Sequence, residues 1–256
     1  MKPLLPMIFL IAVADAGCST LGTESQAEFK KDAVSNLASG NAALKSRNFT
    51  VAEQYFDFVR TKYPFLDASK EAELRLADTD FAREQYSGAR DRYQNFAKLH
   101  PTHPRSDYAS YRAALTYHQE IPSDFFLVPR SYEKDQTAVR GALKSMAEFI
   151  KNYPSSSYLP EAQKILNEVR GRLAKHELHV ADFYAHHDRW PAVAARLESL
   201  VDNYPGAGYD QDALFRLHEV YQRLNEPERA KEALRKVIDR FPGTEAAERA
   251  RKLLGS

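Results

Sequence analysis

Residues 52–64 read AEQYFDFVRTKYP, and residues 230–242 read AKEALRKVIDRFP. Each segment begins with alanine, carries a large apolar residue four positions later, and ends with an aromatic residue followed by proline. Three segments between them follow the same plan, with small variations at the first and the penultimate position. The five prolines are Pro64, Pro101, Pro154, Pro205 and Pro242. A pattern that recurs in this way predicts an array of similar structural units.

The physical properties of the recurring residues explain the pattern. Proline cannot continue a helix and biases the residue before it away from the helical conformation, so each proline marks the end of a helix and a turn. The small residue lets two antiparallel helices approach closely, and the large apolar residue fills the gap between neighbours. Alanine follows every proline by eight positions, and in three units an arginine comes three positions later: Arg75, Arg112 and Arg216. One helix pair cannot bury its apolar face alone, so the pairs must stack.

These positions resemble the signature of the tetratricopeptide repeat (TPR). The resemblance implies an all-α fold of five helix-turn-helix units in a right-handed superhelical solenoid. The prolines are 37, 53, 51 and 37 residues apart, so two units are longer than the others. We place the first excess in residues 121–130, between the two helices of the third unit. We place the second in a long first helix of the fourth unit, residues 158–187, and we expect residues 245–254 to form a capping helix.

The N-terminal residues 1–17 have the composition of a lipoprotein signal peptide. A lysine is followed by an apolar run over residues 4–14, which is too short to cross a bilayer, and then by small residues. The segment AGCS at 16–19 resembles a lipobox, in which the cysteine, here Cys18, is acylated and becomes the new N-terminus. Asp15 departs from the pattern, which prefers an apolar residue there. The alternative is an ordinary signal peptide in which this cysteine is coincidental.

The residues after the leader predict a tether and two groups of repeats. Serine rather than aspartate follows Cys18, which by resemblance implies sorting to the outer membrane. Residues 18–30 are small and polar, as is typical of a flexible tether. We expect residues 31–154 to form N-terminal repeats one to three, and residues 155–256 to form C-terminal repeats four and five with the capping helix.

The overall composition argues against several classes of function. The formal net charge is +1, whereas nucleic-acid-binding proteins usually carry a strong positive excess. Cys18 is the only cysteine, so neither an intramolecular disulfide nor a cysteine metal cluster is possible. The sequence contains no nucleophile elbow, P-loop, dinucleotide fingerprint or H-E-x-x-H motif. We therefore expect a protein that binds other proteins, with no catalytic centre, no cofactor and no nucleic-acid partner.

Beyond the repeats, the chain resembles the BamD family, also called ComL or YfiO, the TPR lipoproteins of the outer-membrane β-barrel assembly machinery. The resemblance rests on the lipobox, the five repeats, the aromatic-rich residues 121–132, the segment 172–177, and VADFY at 180–184 followed by Trp190. It implies a lipid-anchored protein on the outer membrane that faces the periplasm. The N-terminal repeats then bind unfolded outer-membrane proteins or their C-terminal targeting segments. The C-terminal repeats dock on the periplasmic domain of the barrel insertase, together with other assembly lipoproteins.

Two other classes of function stay open at this point. One is another periplasmic TPR lipoprotein, which serves as an adaptor for pilus, secretion or cell-wall machinery. The other is an enzyme such as a zinc hydrolase, for which four histidines are candidate ligands: His176, His179, His186 and His187. Because zinc sites usually recruit a further ligand and fixed hydrogen-bond partners, a hydrated helix rich in histidine is the favoured interpretation, and we predict no metal site.

The first helices of the N-terminal units are predicted to bind client polypeptides on a concave face. A groove with Phe and Tyr beside polar groups suits an extended peptide that ends in an aromatic residue. The expected lining residues are Asn41, Leu44, Leu74, Asp78, Phe81, Tyr108, Tyr111, Leu115 and His118. The alternative for these side chains is packing between repeats. Phe125 and Phe126 belong to the insertion and either line the groove or tuck under the helix pair.

Arg196 is the residue with a predicted role in binding the insertase. It precedes Leu197 and lies four residues ahead of Leu200 in the second helix of the fourth unit, so we expect it at the edge of the packed face. The family resemblance implies that the matching arginine contacts the insertase, and the arginine fork suits a carboxylate partner. The alternative is a solvated surface arginine.

Overall fold

The computed structural model describes residues 26–122 and 131–255, and these ranges contain helices and no strand. A short 3₁₀ helix, Ser131–Glu133, precedes the sixth α-helix. The α-helices of the described ranges are α1 (Ala33–Lys45), α2 (Phe49–Lys62), α3 (Asp67–Ala82), α4 (Tyr86–Leu99), α5 (Ser106–Gln119), α6 (Thr137–Asn152), α7 (Leu159–His186), α8 (Trp190–Asn203), α9 (Asp210–Arg223), α10 (Pro227–Arg240) and α11 (Glu245–Gly255).

The helices form five consecutive pairs, from α1/α2 to α9/α10, and α11 packs against α10 as a cap. Each helix contacts mainly the helix before it and the helix after it, as in a stacked array. The predicted all-α fold of five TPR-like units is confirmed, and so is the long first helix of the fourth unit, because α7 covers Leu159–His186. The right-handed sense of the superhelix stays a prediction.

The second helix of every unit ends in the same way. It stops two residues before the recurring proline, and the residue between them caps the helix with φ from −125° to −130° and ψ from 46° to 60°. The N–H group of each cap residue still donates to the carbonyl four residues back. The cap residues are Tyr63, His100, Tyr153, Tyr204 and Phe241. The restriction that proline places on the preceding residue therefore ends every second helix with the same cap conformation.

The turn inside the helix pair is also repeated. In four of the five units one residue of this turn adopts the left-handed conformation: Arg47 (φ 61°), Glu84 (φ 63°), Asp188 (φ 53°) and Asn225 (φ 59°). A residue with positive φ just after a helix lets the chain reverse while its N–H groups bond to the last carbonyls of that helix. The third unit departs from this rule, since its helices are joined by the predicted insertion.

Both ends of the insertion are held by α7. Arg172 Nη1 donates to the carbonyl of Pro122 at 3.3 Å, and His176 Nδ1 lies 2.6 Å from the carbonyl of Tyr132. The Lys175 ammonium lies 4.6 Å from the centroid of the Tyr132 ring. These contacts occupy about one turn of α7, so Pro122 and Tyr132 are held at nearly the same place on that helix.

The chain that precedes α1 packs along α2. The N–H of Ala27 donates to Gln54 Oε1 at 2.8 Å, and the Tyr63 hydroxyl donates to the carbonyl of Lys31 at 2.8 Å. The Phe29 ring stacks on Phe58 with centroids 4.2 Å apart. The predicted flexible tether over 18–30 therefore has a bound part from residue 26 onward. None of the helices in the described ranges is long and apolar enough to cross a membrane.

The two halves of the array are packed differently. One continuous apolar cluster runs from α5 to α11, whereas two smaller clusters join α1 and α2 to α3, and α3 and α4 to α5. The first five helices instead contain most of the buried polar side chains: Asn36, Ser69, Asp78, Thr79, Asp80, Ser106 and Thr116. Because buried polar groups need hydrogen-bond partners, the N-terminal units depend more on specific bonds between helices.

We predict that Gly40→Ala lowers the free energy of unfolding by about 1–2 kcal/mol, since overpacking costs about 1–3 kcal/mol and better helix propensity returns only about 1 kcal/mol. A Cβ atom at Gly40 would lie 2.5 Å from Cε1 of Phe56, which is fully buried. Gly171→Ala is the control, because a Cβ there meets nothing within 4 Å, and it should stabilise by about 0.5–1 kcal/mol. Urea denaturation followed by circular dichroism measures both. A Gly40→Ala variant as stable as the parent would contradict the close approach.

Candidate functional site

The most densely connected polar group of the N-terminal units is the carboxylate of Asp78 on α3. Its Oδ1 accepts hydrogen bonds from the hydroxyls of Tyr93 on α4 and Tyr108 on α5, each at 2.5 Å. Its Oδ2 accepts from Arg75 Nη1 at 2.9 Å. Three helices from two units are thus joined at one buried carboxylate. We call this set, with the neighbouring Phe81 and Arg112, the Asp78 cluster.

Arg112 on α5 closes the cluster on its partly exposed side. Its guanidinium carbon lies 3.8 Å from the centroid of the Phe81 ring, and its Nε donates to the Tyr93 hydroxyl at 3.2 Å. Nε also lies 3.9 Å from Asp78 Oδ1. Within the described residues, Nε is the only atom of Arg112 that donates a hydrogen bond. The terminal Nη donors are therefore available to a ligand at the face of an aromatic ring.

The protonation states of the cluster follow from its burial. Burial raises the pKa of the Tyr93 hydroxyl, and the adjacent Asp78 carboxylate raises it further. The pKa of Tyr108 is raised for the same two reasons, in the same order. Both hydroxyls therefore stay protonated at neutral pH and act as donors to the carboxylate.

The ion pairs of the cluster contain one more guanidinium than carboxylate. Arg75 lies 2.9 Å from Glu71, and Arg105 forms an ion pair with the same carboxylate. With Arg112 and Asp78, three guanidinium groups therefore face two carboxylates. The side chains of Arg75 and Arg112 are 28% and 21% exposed. An excess of partly exposed guanidinium beside an aromatic ring suits a carboxylate or a peptide carbonyl, because arginine donates in a planar fork.

Two of these arginines, Arg75 and Arg112, belong to a recurring position of the repeat whose role the sequence did not reveal. Arg75, Arg112 and Arg216 share one register, three residues after the recurring alanine. In the structure each of them pairs with a carboxylate on a first helix: Arg75 and Arg112 with Asp78, and Arg216 with Asp182 at 2.6 Å. The recurrence therefore marks ion pairs on the first helices of the units.

The other residues predicted to line the groove are distributed over several environments. Leu74 is fully buried in the apolar cluster of the second unit, and Tyr111 is buried in a parallel stack on Tyr158 with centroids 4.9 Å apart. Packing between helices thus describes these two side chains. Asn41, Leu44 and Leu115 are half-buried on α1 and α5. Among the described residues, none of these three side chains forms a hydrogen bond or a ring contact with the Asp78 cluster.

His118 lies near the end of α5, close to the start of the insertion. Its Nε2 is 3.3 Å from Oε1 of Glu168 on α7, so it links the third and fourth units. Its Nδ1 is buried and has no hydrogen-bond partner among the described residues. The predicted site residues Phe125 and Phe126, and the predicted lipidation site Cys18, lie outside the described residues.

Arg196 on α8 lies at the edge of the packed face of the fourth unit, and its side chain is 41% exposed. Its Nη1 donates to Oε2 of Glu177 on α7 at 3.3 Å, and the side chain of Glu177 is only 5% exposed. The arginine therefore neutralises a buried carboxylate with part of its fork. The rest of the guanidinium faces outward and is available to another carboxylate.

The four histidines of α7 and the turn after it are engaged separately. His176 bonds to the carbonyl of Tyr132, and His179 contacts the ring of that tyrosine at 5.6 Å. His186 and His187 each place Nδ1 near a carbonyl one helical turn back, at 2.6 and 2.7 Å. In the part of the chain that the structure describes, no three His, Cys, Asp or Glu side chains are grouped to hold a metal ion.

Comparison with known proteins places the chain in a family. Residues 30–237 match the model of the YfiO family, described as outer membrane lipoprotein. The outer membrane protein assembly factor BamD of Neisseria meningitidis serogroup A is 27% identical over 247 residues, which cover 94% of this chain and 92% of that protein. BamD of Pasteurella multocida is also 27% identical, over 85% of this chain and 83% of the relative.

Among solved structures, the TPR2AB domain of yeast Sti1 is similar with a TM-score of 0.42 and 13% identity, over 84% of this chain and 80% of that one. The family model spans most of the chain, from the segment before α1 to α10. The chain therefore belongs to the YfiO family of outer membrane lipoproteins, the family of BamD.

Proposed function

We propose that this protein is a lipid-anchored scaffold of the outer-membrane β-barrel assembly machinery and that it carries no catalytic centre. The observation that carries the proposal is the match of residues 30–237 to the YfiO family, together with relatives that are named outer membrane protein assembly factors. The stacked helix pairs offer long polar and aromatic surfaces, which suit the binding of polypeptides.

In this proposal the N-terminal repeats bind unfolded barrel proteins at the Asp78 cluster. Phe81 and Arg112 are among its partly exposed members, and arginine and aromatic residues dominate the energetics of binding sites. The buried network beneath them fixes their positions, because Asp78 is bonded to three helices. A client segment that ends in an aromatic residue offers a ring for Phe81 and a terminal carboxylate for Arg112.

The C-terminal repeats bind the periplasmic domain of the insertase, and Arg196 contributes to that interface. The half-exposed guanidinium of Arg196 is oriented by the buried Glu177, so little side-chain freedom is lost on binding. The lipid on Cys18 holds the protein on the periplasmic side of the outer membrane. A chain with this anchor needs no membrane-spanning helix.

Recovery of partners tests the proposal as a whole. Affinity capture of the tagged, lipidated chain from detergent-solubilised membranes should recover the barrel insertase in stoichiometric amounts. Mass spectrometry of the mature N-terminus should show an acylated Cys18. Recovery of pilus or cell-wall enzymes without the insertase would contradict the proposed function, and an unmodified N-terminus would contradict the anchor.

Arg112→Lys should weaken the binding of a synthetic client peptide that ends in Phe by about tenfold or more, since loss of an arginine anchor typically costs at least about 1–2 kcal/mol. Lysine keeps the charge but loses the fork and the stacking on Phe81. Fluorescence anisotropy measures the affinity. Amidation of the C-terminus of the peptide should lower its affinity for the parent by a similar factor. The same amidation should lower its affinity for Arg112→Lys only slightly further.

The control for this series is Arg216→Lys, which changes the same register position in the fifth unit. Its partner is Asp182, far along the chain from the Asp78 cluster, so peptide affinity should stay at the parent value. If the free-acid and amidated peptides bind the parent equally well, Arg112 does not recognise a terminal carboxylate.

Arg196→Ala should reduce capture of the insertase about tenfold. Glu177→Gln should leave it unchanged, because the amide keeps the shape of the buried side chain and its oxygen still accepts the hydrogen bond that orients the guanidinium. Thermal unfolding of both variants separates binding from stability. Arg235→Ala, at an exposed arginine of α10 without an ion pair among the described residues, is the matched control. Equal loss of capture in the Arg196 and Glu177 variants would mean that their pair acts only through the fold.

A further inference from the structure

One turn of the array exposes an aromatic side chain that has no counterpart in the other units. Phe65 follows Pro64 in the turn from α2 to α3, and it is 99% exposed. The residues at the same position in the other four units are small or polar: Thr102, Ser155, Gly206 and Gly243. The second and third units make the turn with a small polar residue at this position, and the fourth and fifth units with a glycine of positive φ, so the fold does not require an apolar residue there.

Two more apolar side chains lie on the same edge of the array. Leu66, the next residue, is 49% exposed, and Leu99, at the end of α4, is 68% exposed. A shallow depression lined by Asp67, Lys70, Leu99 and residues 100–104 connects the two neighbouring turns. The exposed apolar surface therefore extends from the first unit to the second. We call Phe65, Leu66 and Leu99, with the lysines around them, the Phe65 edge.

Two lysines that form no ion pair in the described part of the chain flank these apolar side chains. Residues 60–70 and 98–107, which form the two turns and their flanks, contain five Lys or Arg, and three of these are paired: Arg60 with Asp57, Lys70 with Asp67 and Arg105 with Glu71. Lys62 and Lys98 are in the last turns of α2 and α4 and make no ion pair within the described residues. An apolar tip with a ring of long basic side chains suits an anionic lipid surface, because lysine stems lie along apolar groups while their ammonium groups reach phosphate.

We propose that the Phe65 edge docks on the phospholipid surface of the membrane that carries the anchor, with Phe65, Leu66 and Leu99 inserted among the headgroups. The proposal rests on the proposed lipid anchoring for its biological setting. A single apolar contact of this kind binds weakly, and its effect in the anchored protein is to fix the orientation of the array relative to the bilayer.

The path of the N-terminal chain allows both attachments at once. Ala27 is held beside Gln54, nine residues before Tyr63 on α2, which corresponds to about 14 Å along the helix. Cys18 precedes residue 26 by eight residues, a length that reaches about 27 Å when extended. An acyl chain on Cys18 and the Phe65 edge are therefore within reach of one bilayer surface.

Vesicle sedimentation of the mature chain from residue 18 with Cys18→Ser tests the edge without any acyl group. This chain contains every helix described above, and the probe is a vesicle of phosphatidylethanolamine with a minority of phosphatidylglycerol. We expect binding that falls at least about tenfold in Phe65→Ser and in Lys62→Glu/Lys98→Glu, and that weakens at high salt. Phe183→Ser is the matched control, because Phe183 is 56% exposed near the end of α7, on the opposite edge, and should leave binding unchanged.

Circular dichroism melting should show unchanged stability for Phe65→Ser, since that side chain is almost fully exposed. No binding of the parent to these vesicles, or equal binding of Phe65→Ser, overturns the proposal. Loss of partner capture in Phe65→Ser without vesicle binding by the parent assigns the edge to a protein instead, and this outcome also overturns it. Since the tested chain lacks the acylated cysteine, failure of the anchor itself would appear only in mass spectrometry of the native N-terminus.

Discussion

A proline two residues beyond the second helix of each unit determines where the chain must turn, and all larger features of the molecule depend on that constraint. The residue before the proline has nearly the same φ and ψ in all five units, and these angles are not helical, so each second helix ends in the same way. Repetition of this helix end brings the first helices of the units side by side. The Asp78 cluster exists because Asp78 and Tyr108 lie on consecutive first helices.

The array joins two kinds of packing in one chain. The third to fifth units share a continuous apolar cluster. In contrast, buried polar side chains around Asp78, Asp80 and Thr116 join the helices of the second unit to one another and to α5. Apolar contacts tolerate small displacements, but buried hydrogen bonds hold only in one geometry and are costly when broken. The second unit and α5 are therefore precisely positioned at their polar contacts, whereas the C-terminal units are held mainly by apolar packing.

The fold could be predicted well because the residues that determine it recur at regular positions in the sequence. The five prolines, the small and large residues before them, and the spacing excess of α7 and of the insertion all follow from local rules. The individual site residues were harder to predict, since the same helix carries partly exposed side chains and side chains that pack on the next helix. Leu74 and Tyr111 are buried although they share helices with Phe81 and Tyr108. The sequence showed Arg112 only as one of three arginines at the same repeat position. Its role as a site residue was missed because its partners Phe81 and Tyr93 come from two other helices.

The long helix α7 anchors the residues on both sides of the insertion. Arg172 holds Pro122 and His176 holds Tyr132 on the same turn of that helix, so the segment between them begins and ends at fixed points that belong to the fourth unit. The free energy of closing such a loop rises only slowly with its length. Residues can therefore be inserted or exchanged between Pro122 and Tyr132 while the stacking of the helices is preserved. In an engineered or evolving relative, a new binding segment can be placed between Pro122 and Tyr132.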